Sequence, residues 1–220
     1  MKIIYKNSVT NKYVRKTSVK SRIILTDILS NNYTSAVTTI NKFKNIVPHY
    51  LIDKSGKVYN IISDKYYTYA IGLKFSELEN SKNIVIGLIN EGPLYLINDK
   101  YYWYNKKIQY DGQFIFEYNY FNFDYWAPYT RKQFISTILL LSELCSSYSI
   151  SKEVIIELKY DKNFINKECI MSSKNLIEDN FSTNPSFNLK TLNSILNSNY
   201  DLSQLELDKI NNELLNIRSY

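Results

Sequence analysis

The chain has 220 residues, of which 45% are hydrophobic and 22% charged. That balance suits one globular domain with a sizeable core and excludes a disordered chain. No run of about 18 apolar residues predicts a membrane span, and the basic start lacks the apolar core of a signal peptide, so the expected location is the cytoplasm.

The formal charge of +6 is placed unevenly. Lys2, Lys6, Lys12, Arg15, Lys16, Lys20 and Arg22 stand in the first 22 residues without one acid, and the remainder is near balance. Such a segment attracts phosphates or an anionic ligand, or forms a strand pair whose lysines lie on a solvated face, the reading favoured here. Nucleic acid is not an expected partner. Cys145 and Cys169 are too few for a disulfide scaffold and are expected as free thiols.

In chain order, residues 2–6 and 12–15 predict two short strands around NSVTN, and RIILTDIL (22–29) predicts a buried strand. Residues 34–44 predict a helix with Ala36, Val37, Ile40 and Phe43 inward. HYLIDKSGKVYNII predicts two alternating strands around Lys54-Ser55-Gly56. NIVIGLI (83–89) is continuously apolar, as a central strand covered on both faces requires.

Over residues 95–126, 14 of 32 side chains are aromatic, and Asn98-Asp99 and Asp111-Gly112 supply turn chemistry for one or two hairpins. Thr130 and Gln133 have capping-box spacing before a helix whose buried stripe holds Phe134, Ile138, Leu141, Cys145 and Tyr148. EVIIEL (153–158) predicts another strand, residues 159–183 a polar loop, Asn188 the cap of a helix through Asn197, and Ser203 with Glu206 a last helix to Arg218.

Several segments, in this order, resemble the type 2 N-acetylmuramoyl-L-alanine amidases, a family that includes phage lysozyme-type amidases and animal peptidoglycan recognition proteins. NIVPHYLIDKSGKVYNIISD is similar to the strand pair after that family's first helix, TYAIG (68–72) to its aromatic-His-x-Gly turn and VIGLINEG (85–92) to its central strand. PYTRKQFISTILLLSELCSSYSI resembles its long helix and STNPSFNL (182–189) its last metal-ligand turn. The resemblance implies an α/β fold: a central mixed β-sheet flanked by helices. The organisation expected is a basic strand segment over 1–22, an amidase-like domain over 23–197 with an aromatic-rich insertion over 93–127, and a C-terminal helix over 198–220.

The family's reaction is zinc-assisted amide hydrolysis, which needs three nitrogen, thiolate or carboxylate ligands and one open position. Carried across by resemblance, the first His falls on Thr26, the second on Glu157 or Leu158 and the third ligand on Asn184. The central strand's acidic group falls on Ile89, the helper before the last ligand on Ser182 and the His of the aromatic-His-x-Gly turn on Ala70. His49, the chain's one histidine, matches a position beside the metal. A shifted alignment around Lys167-Glu168-Cys169 is the remaining route to a metal site. No cofactor is expected.

What remains is a groove with walls of Thr26, His49, Tyr50, Tyr69, Asn90, Glu91 and Asn184, and Trp103 of the insertion is a candidate lid. His49, Asn184 and Glu91 each have a structural reading as well. The expected function is non-catalytic binding of a small ligand, either a muropeptide or a nucleotide-like anion, the latter fitting a phage sponge against host defence. Two alternatives stand beside it: an enzyme, either a divergent cell-wall amidase or a new hydrolase using carboxylates such as Glu91 and Glu157, and an inhibitor that binds a host enzyme. The insertion is the expected contact for a homo-oligomer or protein partner.

Overall fold

The computed structural model of the chain describes residues 2–6, 13–42, 47–69, 76–103, 106–112, 114–177 and 184–198. The predictions for Lys12, Phe43, residues 70–72, Ser182 and the helix over 203–218 lie outside them.

Two apolar octapeptides form the centre. RIILTDIL becomes β3 (Arg22–Leu29) and NIVIGLIN becomes β7 (Asn83–Asn90), and the two pair in parallel without a register break, from Arg22 opposite Asn83 to Leu29 opposite Asn90. Both are buried almost throughout, as parallel strands covered on two faces must be. β4 (Tyr50–Ile52) lies parallel to β7 on its other side, and β5 (Val58–Asn60) folds back antiparallel to β4. The turn between them places Gly56 at φ +78°, where an added Cβ would sit 2.7 Å from the carbonyl oxygen of Lys132. Only glycine combines that backbone with that close approach.

β1 (Ile3–Tyr5) extends the sheet beside β5, and β12 (Ile170–Ser172) closes the far edge parallel to β3. The order is β1-β5-β4-β7-β3-β12, a mixed sheet. The segments predicted as an N-terminal strand pair do not meet. β1 joins the main sheet, whereas β2 (Tyr13–Val14) pairs with β6 (Tyr67–Thr68). Two of the seven N-terminal cations are also structural. Lys20 Nζ donates to the carbonyls of Tyr66 at 2.7 Å and Ser81 at 2.9 Å, and buried Arg22 ion-pairs with Glu79 at 3.0 Å. Glu79 belongs to the short helix α2 (Glu77–Ser81).

Strand alternation divides the core. Ile23, Leu25, Ile84, Ile86 and Leu88 face the long helix α3 (Arg131–Tyr148) and α4 (Leu189–Asn197), meeting Phe134, Ile138, Leu141 and Leu192. Ile28, Leu51 and Ile89 face Ala36 and Ile40 of α1 (Tyr33–Lys42). Ile24 and Val85 face Ile155, Met171 and Leu176. Cys145 and Cys169 are free and buried, which pushes each thiol up to about 11. No helix of the described residues is long and apolar enough to cross a membrane.

The aromatic segment forms its own four-stranded antiparallel sheet: β8 (Pro93–Ile97), β9 (Lys100–Trp103), β10 (Phe116–Tyr120) and β11 (Phe123–Trp126), in the order β10-β11-β8-β9. The Asn98-Asp99 turn falls where predicted, with φ of 50° and 58°. The other hairpin turns at Phe121-Asn122, with φ of 53° and 62°. Phenylalanine rarely takes that conformation, so no sequence signal marks it. Asp111 and Gly112 lie in an exposed stretch outside the strands.

Two other predicted elements differ. EVIIEL makes a single bridge, Val154 to Ile170, rather than a strand. The stretch predicted as loop holds β12 and two short 3-10 turns, over Lys162–Asn166 and Ser173–Asn175. The capping predictions hold: Thr130 Oγ1 accepts from Gln133 N at 3.1 Å, and Asn188 accepts from Thr191 N at 2.8 Å.

Gln133 also does more than cap. Its amide nitrogen reaches the carbonyl oxygens of Ile52 at 3.2 Å and Ile89 at 2.8 Å, tying α3 to the ends of β4 and β7. Gln133→Leu keeps the volume and leaves those buried carbonyls without this donor, at about 1–3 kcal/mol for a buried group left unsatisfied. Urea denaturation is expected to show a loss of that size with an unchanged m-value.

Candidate functional site

The polar residues of the sheet centre gather at the C-terminal ends of β3, β7 and β12, the end at which open α/β sheets place ligands. Because β12 runs parallel to β3 with Ser172 opposite Leu25, the next residue, Ser173, comes beside Thr26. Its Oγ donates to Thr26 Oγ1 at 3.2 Å, and both side chains are buried. Ser173 is therefore the neighbour of Thr26, the position to which the resemblance carries the first ligand. Leu158 is not: it packs against the α3-side core, and Glu157 is exposed. EVII reads as a strand in the sequence, which is why the resemblance carries the second position to Glu157 or Leu158. The strand that pairs with β3 is instead β12.

Thr26 and Asp27 point to opposite faces, as successive strand residues do. Asp27 turns towards α3, where one carboxylate oxygen accepts the hydroxyl of Tyr129 and the backbone N–H of Asn184 also bonds the carboxyl. Burial pushes this carboxyl well above the usual range. Asn184 is itself fully buried, and its amide nitrogen donates to Asn90 Oδ1 at 3.0 Å and to the carbonyl of Ala127 at 2.7 Å. Asn90 Oδ1 also accepts from Gly92 N at 2.6 Å. Asn184 and Asn90 thus meet on Asp27's side of the sheet. The pair Thr26–Ser173 occupies the other side. Asp27 and Tyr129 escaped the sequence reading: a single acid inside an apolar octapeptide looks like a strand terminus, and one tyrosine among 21 carries no signal.

The remaining predicted wall residues sit elsewhere. His49 precedes β4 and is completely buried. Its Nδ1 accepts from Val85 N at 3.0 Å, and its Nε2 lies 3.2 Å from the carbonyl of Tyr66, to which it donates. Tyr50 gives its hydroxyl to Asp64 at 2.7 Å. Half-buried Tyr69 packs edge-on to Tyr67. Glu91, buried at the end of β7, pairs with Lys54. Trp103 lies in β9 opposite Leu94, and its backbone is bonded within the insertion sheet to Ile108 and Lys106. An open cleft lies beside α1, lined by Asn32, Tyr33, Thr34, Ser35, Thr38, Asp53 and Tyr59, none of them predicted. Its Asp53 is already engaged by Ser55, Lys57 and Tyr59.

The donor set can be tested against the zinc ion that the resemblance implies. Thr26 and Ser173 offer neutral hydroxyls and Asn184 a committed amide, whereas such a site needs imidazole, thiolate or carboxylate. Both nitrogens of His49 are held by backbone groups. Cys169 begins the approach to β12 beside Ile23, whose N–H bonds its carbonyl, roughly 13 Å along the strand from Ser173. Among the described residues no three of His, Cys, Asp and Glu converge. The residues present do not fit zinc.

His49 gives this structural role a pH signature. Burial, then the nearby Lys20 ammonium, push its imidazole down to about 3, against about 6.5 in an unfolded chain. The unfolded state therefore takes up a proton that the folded state refuses. Stability from this residue is complete above pH 6.5 and falls by up to about 1.4 kcal/mol per pH unit on going down towards pH 3. Unfolding free energies measured across that window are expected to show the slope in the native chain and lose it in His49→Gln.

The N-acetylmuramoyl-L-alanine amidase family profile matches residues 16–169, a span that ends before Ser173 and Asn184. No curated protein matches the chain in sequence. Among solved structures, the chain is similar to the N-acetylmuramoyl-L-alanine amidase LysC from Clostridium intestinale URNW, at 14% identity over 90% of this chain and 98% of that one, with a TM-score of 0.52. It is similar to the Staphylococcus aureus hydrolase AmiA in complex with its ligand, at 10% identity over 94% and 87%, with a TM-score of 0.52. A peptidoglycan recognition protein, PGRP-SA of Apis mellifera, matches at 13% identity over 86% and 93%, with a TM-score of 0.45. With its mixed sheet flanked by helices and more than half its length matched, the chain belongs to the N-acetylmuramoyl-L-alanine amidase family.

Proposed function

We propose that this family member is a non-catalytic receptor that binds a small cell-wall fragment at the C-terminal ends of its central strands. What supports the reading is the chemistry of the groups: the resemblance carries two of the family's ligand positions to Thr26 and Asn184, Ser173 stands beside Thr26, and these hydroxyl and amide groups hydrogen-bond and are not of the type that holds zinc. Hydroxyls and amides of this kind recognise sugars and peptides without activating water.

A muropeptide is favoured over a nucleotide-like anion. Lys20 and Arg22, two of the cations that made an anion attractive, are consumed inside the fold. The carboxylates of the hydrolase alternative do not form a pair of the kind acid–base work requires: Glu91 is held by Lys54, and Glu157 is exposed beyond the Val154 bridge. A cytoplasmic phage sponge is one setting for such a receptor, with the insertion free to contact a second copy or a protein partner.

Isothermal calorimetry of the full chain with N-acetylmuramoyl-L-alanyl-D-isoglutamine and with a cyclic dinucleotide tests the proposal, followed by mass spectrometry of the recovered ligand. Saturable binding of the intact muropeptide, weakened in Thr26→Val, is the expected result. Release of the peptide from the muramoyl group, abolished by a chelator, would overturn it, as would binding of the dinucleotide alone.

A further inference from the structure

Lys20 and Arg22 serve the interior, but Lys2 and Lys6, which flank β1, are exposed. β1 is the edge of the six-stranded sheet. It pairs with β5 on one side, and among the described residues no strand pairs with the other. It is not a frayed end: Ile3 packs against the α3-side core and Ile4 against the α1-side core, so the strand is held on both faces.

In a parallel pair the backbone groups of successive residues turn alternately towards the partner strand and away from it. Lys6 N donates to the carbonyl of Asn60 at 2.8 Å, so Ile4 and Lys6 turn towards β5. The N–H and C=O groups of Ile3 and Tyr5 therefore turn outward, and the Tyr5 side chain is 77% exposed. An edge of this kind is a template for one more strand. Its surroundings are basic. Exposed Lys57 precedes Val58, the partner of Ile3, and so lies across from Lys2. Lys6 holds its ammonium over the Tyr33 ring, 5.3 Å from the centroid. Asp53, the acid of the adjoining turn, is engaged by Ser55, Lys57 and Tyr59.

The charges select the partner. A second copy of β1 laid antiparallel and centred on Ile4 would set Lys2 opposite Lys6, and like charges directly opposite destabilise a strand pair. Edge lysines thus guard against self-pairing, whereas an acidic strand gains from them. A nucleic acid would satisfy the charges but has no strand to lay along the edge.

We infer that the open edge of β1 docks an extended, acidic segment of another protein, which adds to the sheet as a further strand. Its main chain pairs with the outward groups of Ile3 and Tyr5, and its carboxylates meet Lys2, Lys6 and Lys57. The inference goes beyond the receptor reading and does not rest on it. In the sheet order β1 stands four strand spacings from β3, about 19 Å from the strand that carries Thr26.

The probe is a capped eight-residue peptide that alternates glutamate and valine, titrated into the isotope-labelled full chain and followed by amide nuclear magnetic resonance. Saturable shifts centred on Ile3 and Tyr5 are expected. Lys2→Glu combined with Lys6→Glu is expected to weaken binding about tenfold, as cross-strand charge pairs turned repulsive. Tyr5→Pro removes an outward N–H and spares the inward bonds, and is expected to abolish binding. Lys159→Glu, exposed beyond the opposite edge of the sheet, leaves it unchanged. Should Tyr5→Pro disturb the fold, the same peptide N-methylated at every residue carries the backbone test on the native chain, and its binding is expected to be lost. Four results would overturn the inference: no saturable shift at Ile3 and Tyr5, equal affinity for the N-methylated peptide, affinity unchanged in the double lysine variant, or a thymidine octanucleotide bound as tightly at the same edge. Muropeptide calorimetry, read separately, reports on the strand ends, so either site can fail alone.

Discussion

The parallel register of β3 between β7 and β12 is the constraint on which the rest depends. Side chains of a strand alternate with a period of two, so a slip of one residue would exchange every inward group for its neighbour. Eight consecutive pairings with β7 and three with β12 hold β3 in place. They set Thr26 beside Ser173 and turn Asp27 towards Tyr129 and Asn184. The apolar residues before them are the anchor: Ile23 and Leu25 on one face and Ile24 on the other lie in separate cores, so a slipped register would drive charge into both.

The strand ends then impose a second requirement. Parallel strands buried on both faces finish with carbonyls and amides that water does not reach, and these must be paired. Here that work falls to amide side chains. Gln133 serves the carbonyls of β4 and β7, Asn90 receives Gly92 and Asn184, and Asn184 also holds Ala127. A network of this type rigidifies a site when it is complete and weakens it when a member is missing. Asn184 illustrates the exchange: in a metal site the third position would face the ion, whereas here it joins the last residue of β7 to the end of the insertion.

The sequence made the strongly patterned elements legible. β3, β7, the β4–β5 turn and both capped helices follow from apolar runs, a glycine and capping residues, which act over a few neighbours and so show in a single chain. The misplaced features depend on partners distant in sequence. Cys169-Ile170-Met171-Ser172-Ser173 is a short apolar run inside a polar stretch, and only its pairing with β3 makes it a strand. EVIIEL has a better strand pattern but finds one bridge. The sequence pattern therefore points to Glu157 or Leu158, whereas the residue that the fold sets beside Thr26 is Ser173. Likewise the N-terminal segments read as partners because they are adjacent, whereas β5 and β6 are the partners they find. Thr26 and Asn184 stand out in the sequence through resemblance alone. Asp27 and Tyr129 do not, because their significance lies in what surrounds them.

The central claim is that the strand ends of this amidase-family chain recognise ligands through hydrogen bonds and do not hold zinc. Equilibrium dialysis of the full chain against micromolar zinc, with metal content read by mass spectrometry and any bound ion by X-ray absorption, measures this directly. The account predicts zinc far below one ion per chain, with no defined coordination shell. One ion per chain in a tetrahedral nitrogen, sulfur or carboxylate environment would contradict it.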